Sequence, residues 1–110
     1  MEHGGYVGSA LRVDLSAQSA EPEPLKKEDV ARFVGGRGLG CYYLFKEVGR
    51  GIDPLSPANK LFITTGPLTG TLVPTSTRFV VTTKSPLTGI YCFSVSGGDF
   101  GPSMKRAGYD

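Results

Sequence analysis

An α+β domain, rich in strand and carrying two or three short helices, is what this 110-residue chain predicts. Three observations carry that reading. Leu11-Arg12-Val13-Asp14-Leu15 alternates apolar and polar side chains, the period of a strand with one wet face. Three later runs, Leu-Phe-Ile-Thr-Thr, Arg-Phe-Val-Val-Thr-Thr and Ile-Tyr-Cys-Phe-Ser-Val, are dense in β-branched and aromatic residues and separated by Gly and Pro. With 16 glycines, roughly double the usual share, and 8 prolines, the chain turns often, so long helices should be few.

The elements follow in order. Residues 9–25 form a loose hairpin whose second strand holds Pro22 and Pro24; these donate no ladder hydrogen bonds and restrict it to a sheet edge. Residues 26–34 switch to helical spacing, with Val30, Phe33 and Val34 on one side, and Gly35-Gly36 stops the helix. A second helix covers 39–48, with Leu39, Tyr42, Tyr43, Leu44 and Phe45 as a broad apolar face. Gly49, Gly51 and Asp53-Pro54 end it.

Three strands then follow, and Pro-Leu-Thr-Gly occurs after two of them, at 67–70 and 86–89. Each copy is a tight turn whose Leu is expected to point back into the core. A last short helix covers about 101–106, with Pro102 in its first turn. Lys105-Arg106-Ala107-Gly108-Tyr109-Asp110 reads as a helix end and the entry to another strand, as in a fragment of a larger sheet. An unpaired edge or an open face would make the isolated chain self-associate.

Composition excludes several classes. Twelve cations against ten acids give +2, too little for a polybasic nucleic-acid protein, and aromatics and cations are not interleaved along any strand. No stretch has the length of a membrane-spanning helix, and the N-terminus lacks the cation-then-apolar pattern of a secretory signal, so the expectation is a cytoplasmic protein with neither nucleic acid nor membrane as partner. Cys41 and Cys92 lack C-x-x-C spacing and are expected as buried, reduced thiols. His3 stands alone at a frayed terminus, Lys26 and Lys27 start a solvated helix, and no nucleophile has a recognisable base; no catalytic residue is expected here.

One stretch does carry chemistry. Between Asp53 and Asp99 the chain runs 45 residues without an acid, where its average content would place about four, and it keeps Lys60, Arg78 and Lys84 among nine threonines and many glycines. Hydroxyls, backbone N–H groups and fixed cations suit an anion with several phosphate oxygens. Arg78 offers a planar fork of donors after Thr75-Ser76-Thr77, and Ser96-Gly97-Gly98 lets backbone approach a ligand before the last helix. The bland alternative is a solvent-facing Arg78 and a plain turn. Gly35-Gly36-Arg37-Gly38-Leu39-Gly40 follows no strand, so it reads as close helix packing rather than a dinucleotide fingerprint, with Arg37 free to reach an anion or a partner domain.

Six segments in order then resemble a known family: Arg37-Gly38-Leu39; Asp53-Pro54-Leu55-Ser56-Pro57 with Asn59-Lys60-Leu61; Gly66-Pro67-Leu68-Thr69-Gly70-Thr71; Lys84-Ser85-Pro86-Leu87-Thr88-Gly89; Ser96-Gly97-Gly98 with Phe100-Gly101; and Ala107-Gly108-Tyr109-Asp110. Together they look like the N-terminal domain of the tungsten-containing aldehyde ferredoxin oxidoreductases. The resemblance implies that residues 1–110 are one partial domain, part of a β-sandwich-like base of antiparallel or mixed sheets on which a pterin cofactor rests. It implies oxidation of aldehydes to carboxylic acids with ferredoxin as electron acceptor, a tungsten or molybdenum held by two pterin dithiolenes (tungstopterin, a bis-molybdopterin), magnesium between their phosphates, and a [4Fe–4S] cluster whose ligands lie outside this chain. By the same resemblance Arg78, Val95, Ser96, Gly97 and Gly98 are cofactor-binding. Val95, where well-known members have Asn, would offer its backbone carbonyl to the magnesium. Implied partners are ferredoxin, the rest of the enzyme and a second copy of it. Two rival readings remain: a stand-alone binding module for a smaller phosphorylated ligand, and a structural relative that has lost the cofactor.

Overall fold

The computed structural model describes residues 4–110, and His3 lies outside them. Strand β1 (Ser9–Asp14) pairs antiparallel with β2 (Ser19–Pro24) as a two-stranded sheet. Helices α1 (Lys27–Phe33) and α2 (Gly36–Glu47) follow. Strands β3 (Phe62–Thr65), β4 (Phe79–Lys84) and β5 (Tyr91–Ser96) form a second antiparallel sheet in that order, and α3 (Phe100–Arg106) closes the chain. The α+β class holds: three short helices and two antiparallel sheets.

Helix α1 ends one residue before the glycines, on Val34 at φ +66°. Val34 therefore leaves the apolar face and is exposed, while Val30 is buried. Leu25, Val30 and Leu39 make the hydrophobic core, with Tyr6, Ala10, Phe33 and Tyr43 packed around it. The broad apolar face expected of α2 is narrower: Leu39 and Leu44 are buried, but Phe45 is 88% exposed, because Gly40 and not a larger residue meets the sheet. Neither cysteine is buried as expected. Cys41 is exposed on α2 and Cys92 half-buried on β5, both as free thiols.

Glycine is what lets α2 lie against the sheet. A Cβ on Gly40 would stand 2.6 Å from Thr82 Oγ1, one on Gly35 2.7 Å from the Thr65 carbonyl, and one on Gly38 2.4 Å from the Phe33 carbonyl of α1. Close packing was the expected role of this cluster, and it serves the sheet as much as the neighbouring helix.

The two Pro-Leu-Thr-Gly turns form, but their leucines point outward: Leu68 is 56% and Leu87 92% exposed. Polar side chains take the inner position. Thr69 Oγ1 accepts from the Gly66 N–H (3.1 Å) and donates to the Arg78 carbonyl (3.0 Å). In the second turn Ser85 Oγ accepts from the Leu87 and Thr88 N–H groups, both at 3.2 Å. A turn interior has its own backbone donors to satisfy, and a leucine there would leave them bare.

Asp110 ties the N-terminal strand, the second sheet and α3 together. Its backbone N–H donates to the Ser9 carbonyl (2.9 Å), and its carbonyl accepts from the N–H (2.8 Å) and hydroxyl (2.9 Å) of Thr65. The carboxylate accepts from Val7 N–H (3.1 Å), Gly8 N–H (2.5 Å) and Lys105 Nζ (2.7 Å). A second network crosses the surface: Glu47 of α2 accepts from Arg12 of β1 (2.9 and 3.0 Å) and Lys60 (2.7 Å). Hydrogen bonding by Arg12, opposed by partial burial and reinforced by Lys60, lowers the Glu47 carboxyl to about 2.

Three outcomes are expected. Gly40→Ala should destabilise the chain by about 1–3 kcal/mol in urea unfolding, because its methyl meets Thr82. Asp110→Ala removes the carboxylate that pairs with the partly buried Lys105 and accepts from the Val7 and Gly8 N–H groups, and should cost about 3–5 kcal/mol in the same assay. The Glu47 contribution, complete above the ordinary carboxyl value of 4.5, should be lost as pH falls from there toward 2; Glu47→Gln should flatten that part of the pH–stability curve.

Candidate functional site

Arg78 directly precedes β4 and Gly97 directly follows β5, and the terminal pair Phe79↔Ser96 puts the two at the same end of the β4–β5 ladder. The two features singled out on separate parts of the sequence thus share that end. A Cβ on Gly97 would lie 3.5 Å from Thr77 Oγ1. One on Gly101 would lie 2.8 Å from the Thr77 carbonyl and 3.5 Å from the Arg78 carbonyl, so α3 also approaches this segment through a glycine. The Phe79 and Phe100 rings, 4.8 Å apart, complete that contact. The sequence named Gly101 only within the Phe100-Gly101 segment and as the start of the last helix, with no role at the site.

The acid-free stretch divides its cations unequally. Lys60 is taken by Glu47, and Lys84 Nζ donates to the Ile52 carbonyl (2.8 Å). Arg78 is exposed, and among the described residues no carboxylate forms an ion pair with it. Its backbone is held by Thr69 while its guanidinium donors stay available. Ser96, Gly97 and Gly98 are exposed at the same end of the ladder, and Gly98 takes φ +86°, a conformation that glycine adopts without strain. Val95 pairs with Val80 and is 41% exposed.

The surface around Arg78 and Gly97 is open. Two concavities occur elsewhere, one of about 660 Å³ lined by Gly4, Gly5, Pro67, Leu68, Leu72 and Val73, the other of about 550 Å³ between α2 and the Ile90–Tyr91 segment. Neither is lined by Arg78 or Gly97. Among the described residues no group of three or more His, Cys, Asp or Glu is placed to hold a metal, and no helix is long and apolar enough to cross a membrane. What the site can do chemically is bind an anion along an exposed main chain. No side chain here is set to move a proton.

Comparison with known proteins decides the family. The family model for the aldehyde ferredoxin oxidoreductase N-terminal domain matches residues 10–110. The chain belongs to that family. The tungsten-containing aldehyde ferredoxin oxidoreductase of Pyrococcus horikoshii is 50% identical over 106 residues, which are 96% of this chain and 18% of that protein. The enzyme of the same name from Pyrococcus furiosus is 49% identical over the same span. A WOR-like subunit of an aliphatic sulfonate oxidoreductase from Pyrococcus furiosus is 41% identical, over 96% of this chain and 17% of that protein. Among solved structures, the active-site complex BamBC of benzoyl coenzyme A reductase, in complex with 1,5-dienoyl-CoA, superposes with a TM-score of 0.92 at 36% identity, covering 97% of this chain and 16% of that one. The aldehyde ferredoxin oxidoreductase N-terminal fold is thus shared by oxidoreductases named for different substrates. This chain spans about a fifth of the length of the curated relatives it matches.

Proposed function

We propose that this domain holds the phosphate-bearing end of a tungsten–pterin cofactor within an oxidoreductase that converts aldehydes to carboxylic acids and passes electrons to ferredoxin. The observation that carries the reading is that Arg78 and Gly97 come to the same end of the β4–β5 ladder within a stretch that has no acid between Asp53 and Asp99. The family relationship to tungsten-containing enzymes supports it from an independent direction.

The residues present fit such a group. Gly97 and Gly98 expose main chain with no side chain over it, and the exposed cation at the same end of the ladder is an arginine, whose fork matches phosphate oxygens two at a time. Arg78 would bind a phosphate and the backbone of Ser96, Gly97 and Gly98 would line it, with the Val95 carbonyl offered to a magnesium ion between phosphates. When bound, the metal centre supplies the two-electron oxidation of the aldehyde. This chain contributes position and charge neutralisation, and the substrate pocket and the [4Fe–4S] ligands belong to the remainder of a longer enzyme.

That relatives are named for sulfonates and for benzoyl-CoA supports a substrate choice made outside this domain. A domain that binds the cofactor alone has no reason to differ between them.

In tungsten-loaded protein purified under anaerobic conditions, Arg78→Ala should lower tungsten content, since a charge-assisted hydrogen bond contributes about 1.5–3 kcal/mol, or tenfold and more in affinity. Metal analysis reads the result directly. Wild-type tungsten content in the variant would overturn the role of Arg78, and a wild-type protein without tungsten would favour the cofactor-free structural relative.

A further inference from the structure

The acid-free stretch contains nine threonines, and most of them spend their hydroxyls inside the protein. Thr64, Thr65, Thr69, Thr71, Thr75 and Thr83 each donate to a main-chain carbonyl, at 2.6 to 3.0 Å. Thr82 is fully buried beneath Gly40. Thr88 lies in the turn between β4 and β5, at the far end of the ladder from Arg78. That leaves Thr77. Its hydroxyl has no hydrogen-bond partner among the described residues and is not shut off from solvent.

Thr77 is also held in place. The carbonyl before it, of Ser76, accepts from the Gly70 N–H (2.8 Å), and the one after it, of Arg78, accepts from the Thr69 hydroxyl (3.0 Å). A Cβ on Gly101 would stand 2.8 Å from the carbonyl of Thr77 itself, so α3 braces the segment as well. Across the end of the ladder, Thr77 Oγ1 lies 3.5 Å from where a Cβ on Gly97 would be. Gly98 uses glycine for its φ of +86°, but Gly97 is not among the residues of positive φ, and a methyl at 3.5 Å would make only ordinary contact. Neither backbone conformation nor packing therefore asks for glycine at 97. What a side chain there would do is cover the Thr77 hydroxyl.

We propose that Thr77 is a specificity-determining residue of the Arg78–Gly97 surface, its hydroxyl donating to the third oxygen of a phosphate monoester whose other two face the Arg78 fork. The proposal rests on the anion-binding reading of Arg78 and Gly97. A carboxylate has two oxygens, both matched by the fork of an arginine, and a further donor adds little to it. A phosphate monoester has three terminal oxygens, so an added hydroxyl selects for it.

The test is an NMR titration of this chain with inorganic phosphate and, separately, with acetate, read at the Gly97 and Gly98 amides and the Thr77 methyl group. In the wild-type chain phosphate should move all three with one midpoint, and acetate should move the amides but not the methyl. Thr77→Val, which keeps the shape and removes the hydroxyl, should raise the phosphate midpoint about fivefold and leave the acetate midpoint unchanged. Thr77→Ser, which restores a hydroxyl, should bind phosphate as the wild type does. The methyl response of the wild-type chain reports on the inference even if Thr77→Val fails to fold. A methyl that ignores phosphate, an unchanged phosphate midpoint in Thr77→Val, a Thr77→Ser chain as weak as Thr77→Val, or equal losses for phosphate and acetate would each overturn the role of Thr77. Loss of binding in Arg78→Ala would then leave Arg78 and Gly97 standing. No response of the glycine amides to phosphate would remove the anion-binding reading and this inference with it.

Discussion

Everything positioned in this domain depends on how closely α2 is able to approach a β-sheet. Side chains normally hold a helix well away from strands, but Gly35, Gly36 and Gly40 bring its backbone against Thr65, Val80 and Thr82. The same seating drives Leu39 into the core beside Leu25 and Val30, and it carries Arg37 over Phe93. Thr82, fully buried beneath Gly40, shows how little space is left. In such a contact a single methyl group is felt, because a packed interior has no slack to absorb it.

Charge is distributed by the same logic. Carboxylates are concentrated before Asp53, where Glu47 ties β1 to the segment before β3 through Arg12 and Lys60. The later stretch is built from hydroxyls. Thr69 and Ser85 satisfy turn backbone, Thr65 meets Asp110, and Thr83 donates to the Lys60 carbonyl. Threonine and serine do this work without net charge, so the surface near Arg78 stays uncompensated. The proposed role needs that division, since a carboxylate used for turn stability would also repel a polyanion.

Much of the fold was legible. The alternation at 11–15, the prolines of the edge strand and the three β-branched runs correspond to β1 through β5, because strand period and turn residues are local properties. Where the reading failed, it failed on facing. Leu68, Leu87 and Phe45 were expected inside and are outside; a hydrophobic residue does not record what else competes for an interior position. Thr69 and Ser85 win those positions by hydrogen bonding backbone that the sequence does not display. The cysteines went wrong for a related reason, since nothing local indicates which side of α2 or β5 is covered.

Of the site, the residue types were readable and the proximity was not. Sequence by itself determined that acids are absent over 45 residues, that Arg78 follows a hydroxyl run, and that glycines recur at 97 and 98, because composition and local conformational freedom are written residue by residue. Only the tertiary structure decided that Lys60 and Lys84 are engaged elsewhere, that Arg78 and Gly97 share one end of the β4–β5 ladder, and that the Thr77 hydroxyl lies against Gly97. The reason is register. Antiparallel pairing brings together residues separated by a turn and its flanking strands, and which residues meet is settled by how buried faces align across the sheet rather than by any one segment.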